Sequence, residues 1–82
     1  MDTEKIGKFI AKQRKTLNLT QEQLAATLGL NSRSISRWEN GICMPDLSIL
    51  KNLAKVLNIS VSELLEGRLM TKEERLKNKV LN

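Results

Sequence analysis

Apolar residues along this chain recur at helical spacing, and no stretch alternates as a half-buried strand would. Ile6, Phe9, Ile10 and Leu17 lie toward one side of a segment covering 3–17. Leu24, Ala25 and Leu28 give residues 21–28 an inward face. Residues 32–40 bury little beyond Ile35 and part of Trp38. Leu47, Leu50, Leu53, Ala54 and Leu57 form the stripe of a fourth segment, and Leu64 and Leu65 belong to a short fifth one. The pattern predicts an all-α fold, a compact five-helix domain over 1–67, followed by a C-terminal tail at 68–82 that is either a short helix or a linker.

The boundaries rest on a turn motif that recurs. Leu17-Asn18-Leu19-Thr20, Leu28-Gly29-Leu30-Asn31 and Leu57-Asn58-Ile59-Ser60 each read as a helix end, a left-handed residue, an apolar anchor and an N-cap. Glycine and asparagine tolerate the left-handed region best. Asn40-Gly41-Ile42 reads as a further helix end, and Gly67 closes the fifth helix. Thr20 with Gln23, and Ser60 with Glu63, have capping-box spacing. Asp46, following Pro45, is placed to cap the fourth helix. In the tail, Thr71 with Glu74 repeats the capping box, and Leu76 and Val80 share a helical face. The tail is equally placed to extend the core, to pair with a second subunit or to lead into a further domain.

Composition narrows the possibilities. Eighty-two residues suffice for one domain with one modest core, and with 2% aromatics, Phe9 and Trp38, that core must be aliphatic. Cys43 is the single cysteine and there is no histidine, so no disulfide framework, no metal site and no cofactor are expected. The same poverty argues against an enzyme, because the chain offers no glycine-rich phosphate loop and no nucleophile-and-base set. No apolar run approaches the roughly 20 residues of a membrane span, and no signal-peptide pattern opens the chain. A reducing cytoplasm is the expected location, with no membrane partner.

Fourteen Lys and Arg against nine Asp and Glu give a net charge of +5, which favours an anionic partner. Up to Gly41 the seven basic residues exceed the four acidic ones by three, so that excess of three lies in the half that holds residues 20–41. Those residues read as two short helices joined by a tight turn. On the second, Ser32, Arg33, Ser36 and Arg37 fall on one outward stripe. Small hydroxyls permit close approach, and each arginine can fork onto guanine O6 and N7 or onto a phosphate. Such a helix suits a DNA major groove. Which arginine reads a base and which holds a phosphate stays open at this point.

The combination Leu19-Thr20-Gln21, Leu24-Ala25, Leu28-Gly29 and Ile35-Ser36-Arg37-Trp38-Glu39-Asn40-Gly41 closely resembles the phage-repressor and Cro-type helix-turn-helix family, also called the XRE family. Pro45-Asp46-Leu47 through Leu57 looks like that family's fourth helix, and Ile59 through Leu65 like its fifth. The resemblance implies a repressor-like domain over 1–67 with its helix-turn-helix at 20–41. It implies sequence-specific binding to a double-stranded DNA operator, with residues 32–40 in the major groove, as a homodimer that regulates transcription. Repression follows where the operator overlaps a promoter.

Family roles fall on particular residues. Thr20 caps the helix end that faces an anion, and Gln21 matches a phosphate contact that also steadies the reading helix. Ser32, Arg33, Ser36 and Arg37 match positions facing base edges or adjacent phosphates, and Asn40 matches a phosphate contact at the helix end. Arg14 and Glu39 match a salt bridge that in family members holds the first helix to the third; an exposed pair would contribute only about 0–1 kcal/mol. One departure is the loop after Gly41, where Ile42, Cys43 and Met44 stand in place of the family's frequent basic residues. Ile42 and Met44 are expected in the core, although a partly exposed Ile42–Cys43–Met44 patch would give two subunits a place to meet. Trp38 is expected to face inward, and Cys43 to be inert. The alternative function is a protein-interaction module, such as the antitoxin of a toxin–antitoxin pair, with its partner on the tail at 68–82.

Overall fold

The computed structural model describes residues 1–81, with side chains through Leu76. Among the described residues are six helices and no strand: α1 (Thr3–Thr16), α2 (Gln21–Leu28), α3 (Ser32–Glu39), α4 (Leu47–Val56), α5 (Val61–Glu66) and α6 (Lys72–Leu81). The five helices read from the sequence are present, each ending within one residue of expectation. Leu17 and Asn40 serve as C-caps rather than last helical residues. None of the described helices is long and apolar enough to cross a membrane.

Local chemistry accounts for the starts and stops. Thr20 with Gln23 and Ser60 with Glu63 form complete capping boxes, so in each the hydroxyl accepts an amide and the longer side chain returns one bond. Asp2 accepts the Lys5 N–H at 3.0 Å. The recurring turn takes its expected conformation, with Asn18 at φ 59°, Gly29 at 69° and Asn58 at 58°. Asp46 is a correction. It is exposed and makes no side-chain capping bond, because its own backbone carbonyl accepts the Ile49 N–H at 2.9 Å, an amide that a capping carboxylate would take.

The core is aliphatic. Ile6, Ile10, Leu24, Ile35, Leu53, Leu57 and Leu64 are fully buried, with Ala25, Trp38, Leu50 and Ala54 completing the cluster. α1 packs on α3 and α5, α2 lies between α3 and α4, and α4 closes against α5. Three apolar residues depart from expectation, the first being Leu17, which is 39% exposed at the C-cap of α1. Leu47, the first residue of α4, is 87% exposed, and Ile42 is 66% exposed on the loop after α3. Met44, by contrast, packs partly buried against the core.

Gly7 sits mid-helix in α1, where glycine ordinarily weakens a helix by about 1 kcal/mol. A Cβ there would overlap the carbonyl oxygen of Trp38 and lie 3.0 Å from that of Glu39. The missing side chain lets α1 lie directly against the end of α3.

The tail forms α6. Thr71 and Glu74 make the expected capping box, with bonds of 3.2 and 2.9 Å. Arg68 pairs with Glu74 at 2.6 Å, and Arg75 reaches back to Glu63 at 2.9 Å. The expected pairing of Leu76 with Val80 lies outside the described side chains.

Candidate nucleic-acid interface

The turn between α2 and α3 is built from three residues with distinct tasks. Gly29 takes the left-handed conformation that ends α2, and the Leu30 N–H then donates to the Ala25 carbonyl at 2.8 Å. Leu30 packs partly buried on the core. The Asn31 side chain accepts the Arg33 N–H at 2.7 Å, which starts α3. α3 is thereby aimed with Ile35 and Trp38 inward, 0% and 5% exposed.

The opposite side of α3 is the ridge expected from the sequence. Ser32 and Ser36 are half-buried, Arg33 and Arg37 are exposed, and Arg33, Ser36 and Arg37 line one shallow open hollow. Among the described residues neither guanidinium engages in an ion pair or a hydrogen bond. Both are therefore available for bidentate contact with an anion or a base edge.

The residues flanking the ridge are tied into a network. Arg14 donates from Nε to Glu39 Oε2 at 2.6 Å, from Nη2 to Oε1 at 2.9 Å, and from Nη1 to the Leu19 carbonyl at 2.7 Å. Gln21 Nε2 donates to Glu39 Oε1 at 3.0 Å. One carboxylate thus joins α1, the start of α2 and the end of α3. The side chains of Arg14 and Glu39 are 10% and 7% exposed, so the pair is nearly buried rather than a loose surface contact. The hydrogen bond to Glu39 raises the Arg14 pKa above its already high ordinary value, burial opposing it only in part. The positive charge of Arg14 is permanent.

Thr20, Gln21 and Asn40 sit at the ends of the two helices. Thr20 caps α2 beside Gln21, whose amide keeps a second N–H beyond the bond to Glu39. Asn40 Nδ2 donates to the Ser36 carbonyl at 2.8 Å and to the Ser36 hydroxyl at 3.2 Å. That leaves the Ser36 hydroxyl as a free donor and turns the Asn40 amide back onto its own helix. Ile42 and Cys43 are exposed, so the loop after α3 presents these side chains to solvent in place of the basic residues frequent in the family.

Three contributors escaped sequence reasoning. Gly7 sets the distance between α1 and α3, although a glycine in a helical pattern is itself a signal of close approach. The Leu19 carbonyl that receives Arg14 has no sequence signature. Glu63 was legible as a capping-box member, but its burial to 2% exposure and its bonds to the Met70 N–H and Arg75 were not.

Similarity to known proteins converges on the same region. A family model described as helix-turn-helix matches residues 10–64. The transcriptional activator BcrR of Enterococcus faecalis is 44% identical over 50 residues, covering 61% of this chain and 24% of that protein. The cryptic phage CTXphi transcriptional repressor RstR of Vibrio cholerae is 38% identical over 71 residues, covering 87% of this chain and 62% of that protein. The chain therefore spans about a quarter of the one relative and three fifths of the other. Among solved structures, the P22 c2 repressor in complex with a synthetic operator superposes with a TM-score of 0.73 at 34% identity, over 76% of this chain and 94% of that one. With this fold, this turn and these relatives, the chain belongs to the phage-repressor and Cro type of the helix-turn-helix family.

Proposed function

We propose that this chain binds double-stranded DNA sequence-specifically and regulates transcription, with α3 in the major groove. The observation that carries this reading is the ridge of Ser32, Arg33, Ser36 and Arg37, whose two guanidiniums are unpaired among the described residues while the residues around them are clamped by Arg14, Glu39 and Gln21. A rigid mount and unengaged arginines are what direct readout requires, since each good bidentate contact discriminates by about 1–3 kcal/mol. Thr20, Gln21 and Asn40 flank the ridge at helix ends and meet adjacent phosphates, Gln21 through its remaining N–H. Asn40 exchanges a bond to Ser36 for one to the duplex. The kinship with RstR and with the operator-bound P22 c2 repressor supports repression as the sign of regulation.

One such domain makes few contacts, so two copies act together, their reading helices about 34 Å apart on successive major grooves of an inverted repeat. Selection of bound duplexes from a random pool tests the reading directly. An enriched palindrome with half-sites one helical turn apart is the expected result. Recovery of no sequence preference at moderate salt overturns it.

A further inference from the structure

The outer face of α1 carries a second cationic surface, made of residues that the ridge does not use. Lys5, Lys8, Lys12 and Lys15 recur at steps of three and four, so they form one stripe along the helix, and all four are exposed. Beside that stripe, where α1 meets the turn after α5, is an open cleft of about 330 Å³. Lys5, Lys8 and Lys12 rim it together with Arg68, and Phe9 and Leu69 make it apolar within. Phe9 is 7% exposed and Leu69 50%. Among the described residues no carboxylate lines the cleft, and the nearby Glu74 is already paired with Arg68 at 2.6 Å. A neighbouring hollow continues along Lys8, Lys12 and Lys15 to Glu39, whose two oxygens are committed to Arg14 and Gln21.

We propose that this cleft is the docking site of another protein's acidic amphipathic segment, an apolar side chain seated on Phe9 and Leu69 with flanking carboxylates on Lys5, Lys8 and Lys12. Charge complementarity selects the partner's sign. The apolar interior selects its class, because a sugar–phosphate backbone has charge to offer but no side chain to place on Phe9 and Leu69. At this lysine-rimmed cleft a second copy of this chain, at +5, is a poorer occupant than an acidic segment. The lysine stems cover the rim with methylene groups while their ammonium heads stay in water, which suits a mixed apolar and ionic contact. The ridge stays open when the cleft is filled, so such a partner binds the DNA-bound protein as well as the free one.

The test uses the full chain and a fluorescein-labelled synthetic peptide of roughly 14 residues, with glutamates flanking two leucines one helical turn apart. Saturable anisotropy is expected, with shifts in the amide resonances of Phe9, Gly67 and Leu69. Lys8→Glu/Lys12→Glu weakens the peptide by at least about tenfold, whereas Arg33→Ala changes it by less than about twofold. Lys8 and Lys12 are exposed and form no ion pair among the described residues, and an unchanged melting curve for the double variant establishes that its fold is intact. Absence of saturable binding, or equal binding of a peptide with serine for both leucines, overturns the proposal. So does displacement of the peptide by duplex DNA together with a matching loss of DNA affinity in Lys8→Glu/Lys12→Glu, which would assign the stripe to the duplex.

Discussion

Arg14 and Glu39, 25 residues apart, meet side by side through two parallel hydrogen bonds of 2.6 and 2.9 Å, with their side chains only 10% and 7% exposed. The fork geometry fixes both position and orientation of the end of α3, which a single lysine contact could not do. Glu39→Ala strands the guanidinium nearly buried and releases Gln21 as well. The expected loss is about 3 kcal/mol. For a domain of this size that lowers the melting temperature by roughly 10–20 °C, read by circular dichroism. Arg14→Met/Glu39→Met leaves no charge behind and recovers more than half of the loss. A deficit under about 1 kcal/mol for Glu39→Ala would place the pair with ordinary surface contacts instead.

Gly7→Ala reverses the usual sign of a helix substitution. Alanine ordinarily strengthens a mid-helix position by about 1 kcal/mol. Here its methyl group meets the backbone oxygens of Trp38 and Glu39, which cannot rotate away. α1 must lift from α3, at an expected cost of about 1–3 kcal/mol in chemical denaturation. The clamp stretches with it, so DNA affinity falls as well. A more stable Gly7→Ala protein would refute the close packing of the two helices.

The helix boundaries were legible because each turn carries its own chemistry. Asn18, Gly29 and Asn58 occupy left-handed positions that few residues accept, and Thr20 and Ser60 precede partners at the right spacing. The ridge was legible because its residues differ in kind from the Ile35 and Trp38 side of the same helix. Distances between helices were not. That Arg14 also seats on the Leu19 carbonyl, that Gln21 shares Glu39, and that α6 returns to Glu63 depend on how packed helices cross. Nor does the local pattern of Leu47 and Ile42 reveal that both are left exposed.

Arg33→Ala and Arg37→Ala separate readout from anchoring. Both side chains are exposed and make no hydrogen bond among the described residues, so each variant melts within about 0.5 kcal/mol of the parent. Binding is the quantity that changes. The arginine on a base edge, when removed, relaxes preference at one position of the selected duplex by about 1–3 kcal/mol. The one on a phosphate weakens all duplexes alike and lowers the salt slope by about 1. Anisotropy titrations against single-base variants at several salt concentrations assign each residue. Parent-like affinity and preference in both variants would remove the ridge from the interface.

Acid should release α6 from the rest of the fold. Burial pushes the Glu63 carboxyl up, but the Ser60 and Met70 amides with Arg75 outweigh it and hold it below its ordinary 4.5. Arg68, followed by the Thr71 amide, holds the half-buried Glu74 at about 2. Both carboxyl groups are depressed in the folded state, so their contribution is complete above the ordinary carboxylate range. It is lost as pH falls from about 4.5 toward 2. Arg75 is 58% exposed and Glu63 only 3%, so the amides rather than the ion pair hold that carboxylate when salt is added. The Met70 amide resonance reports the event, since its N–H donates to Glu63 at 2.9 Å. Its titration midpoint is expected below 4.5. Glu63→Gln abolishes that titration and loosens α6 at neutral pH, seen as faster amide exchange at Met70. A midpoint at or above the ordinary value would mean that Glu63 is not stabilised as an anion, and that the joint between α5 and α6 is held by something else.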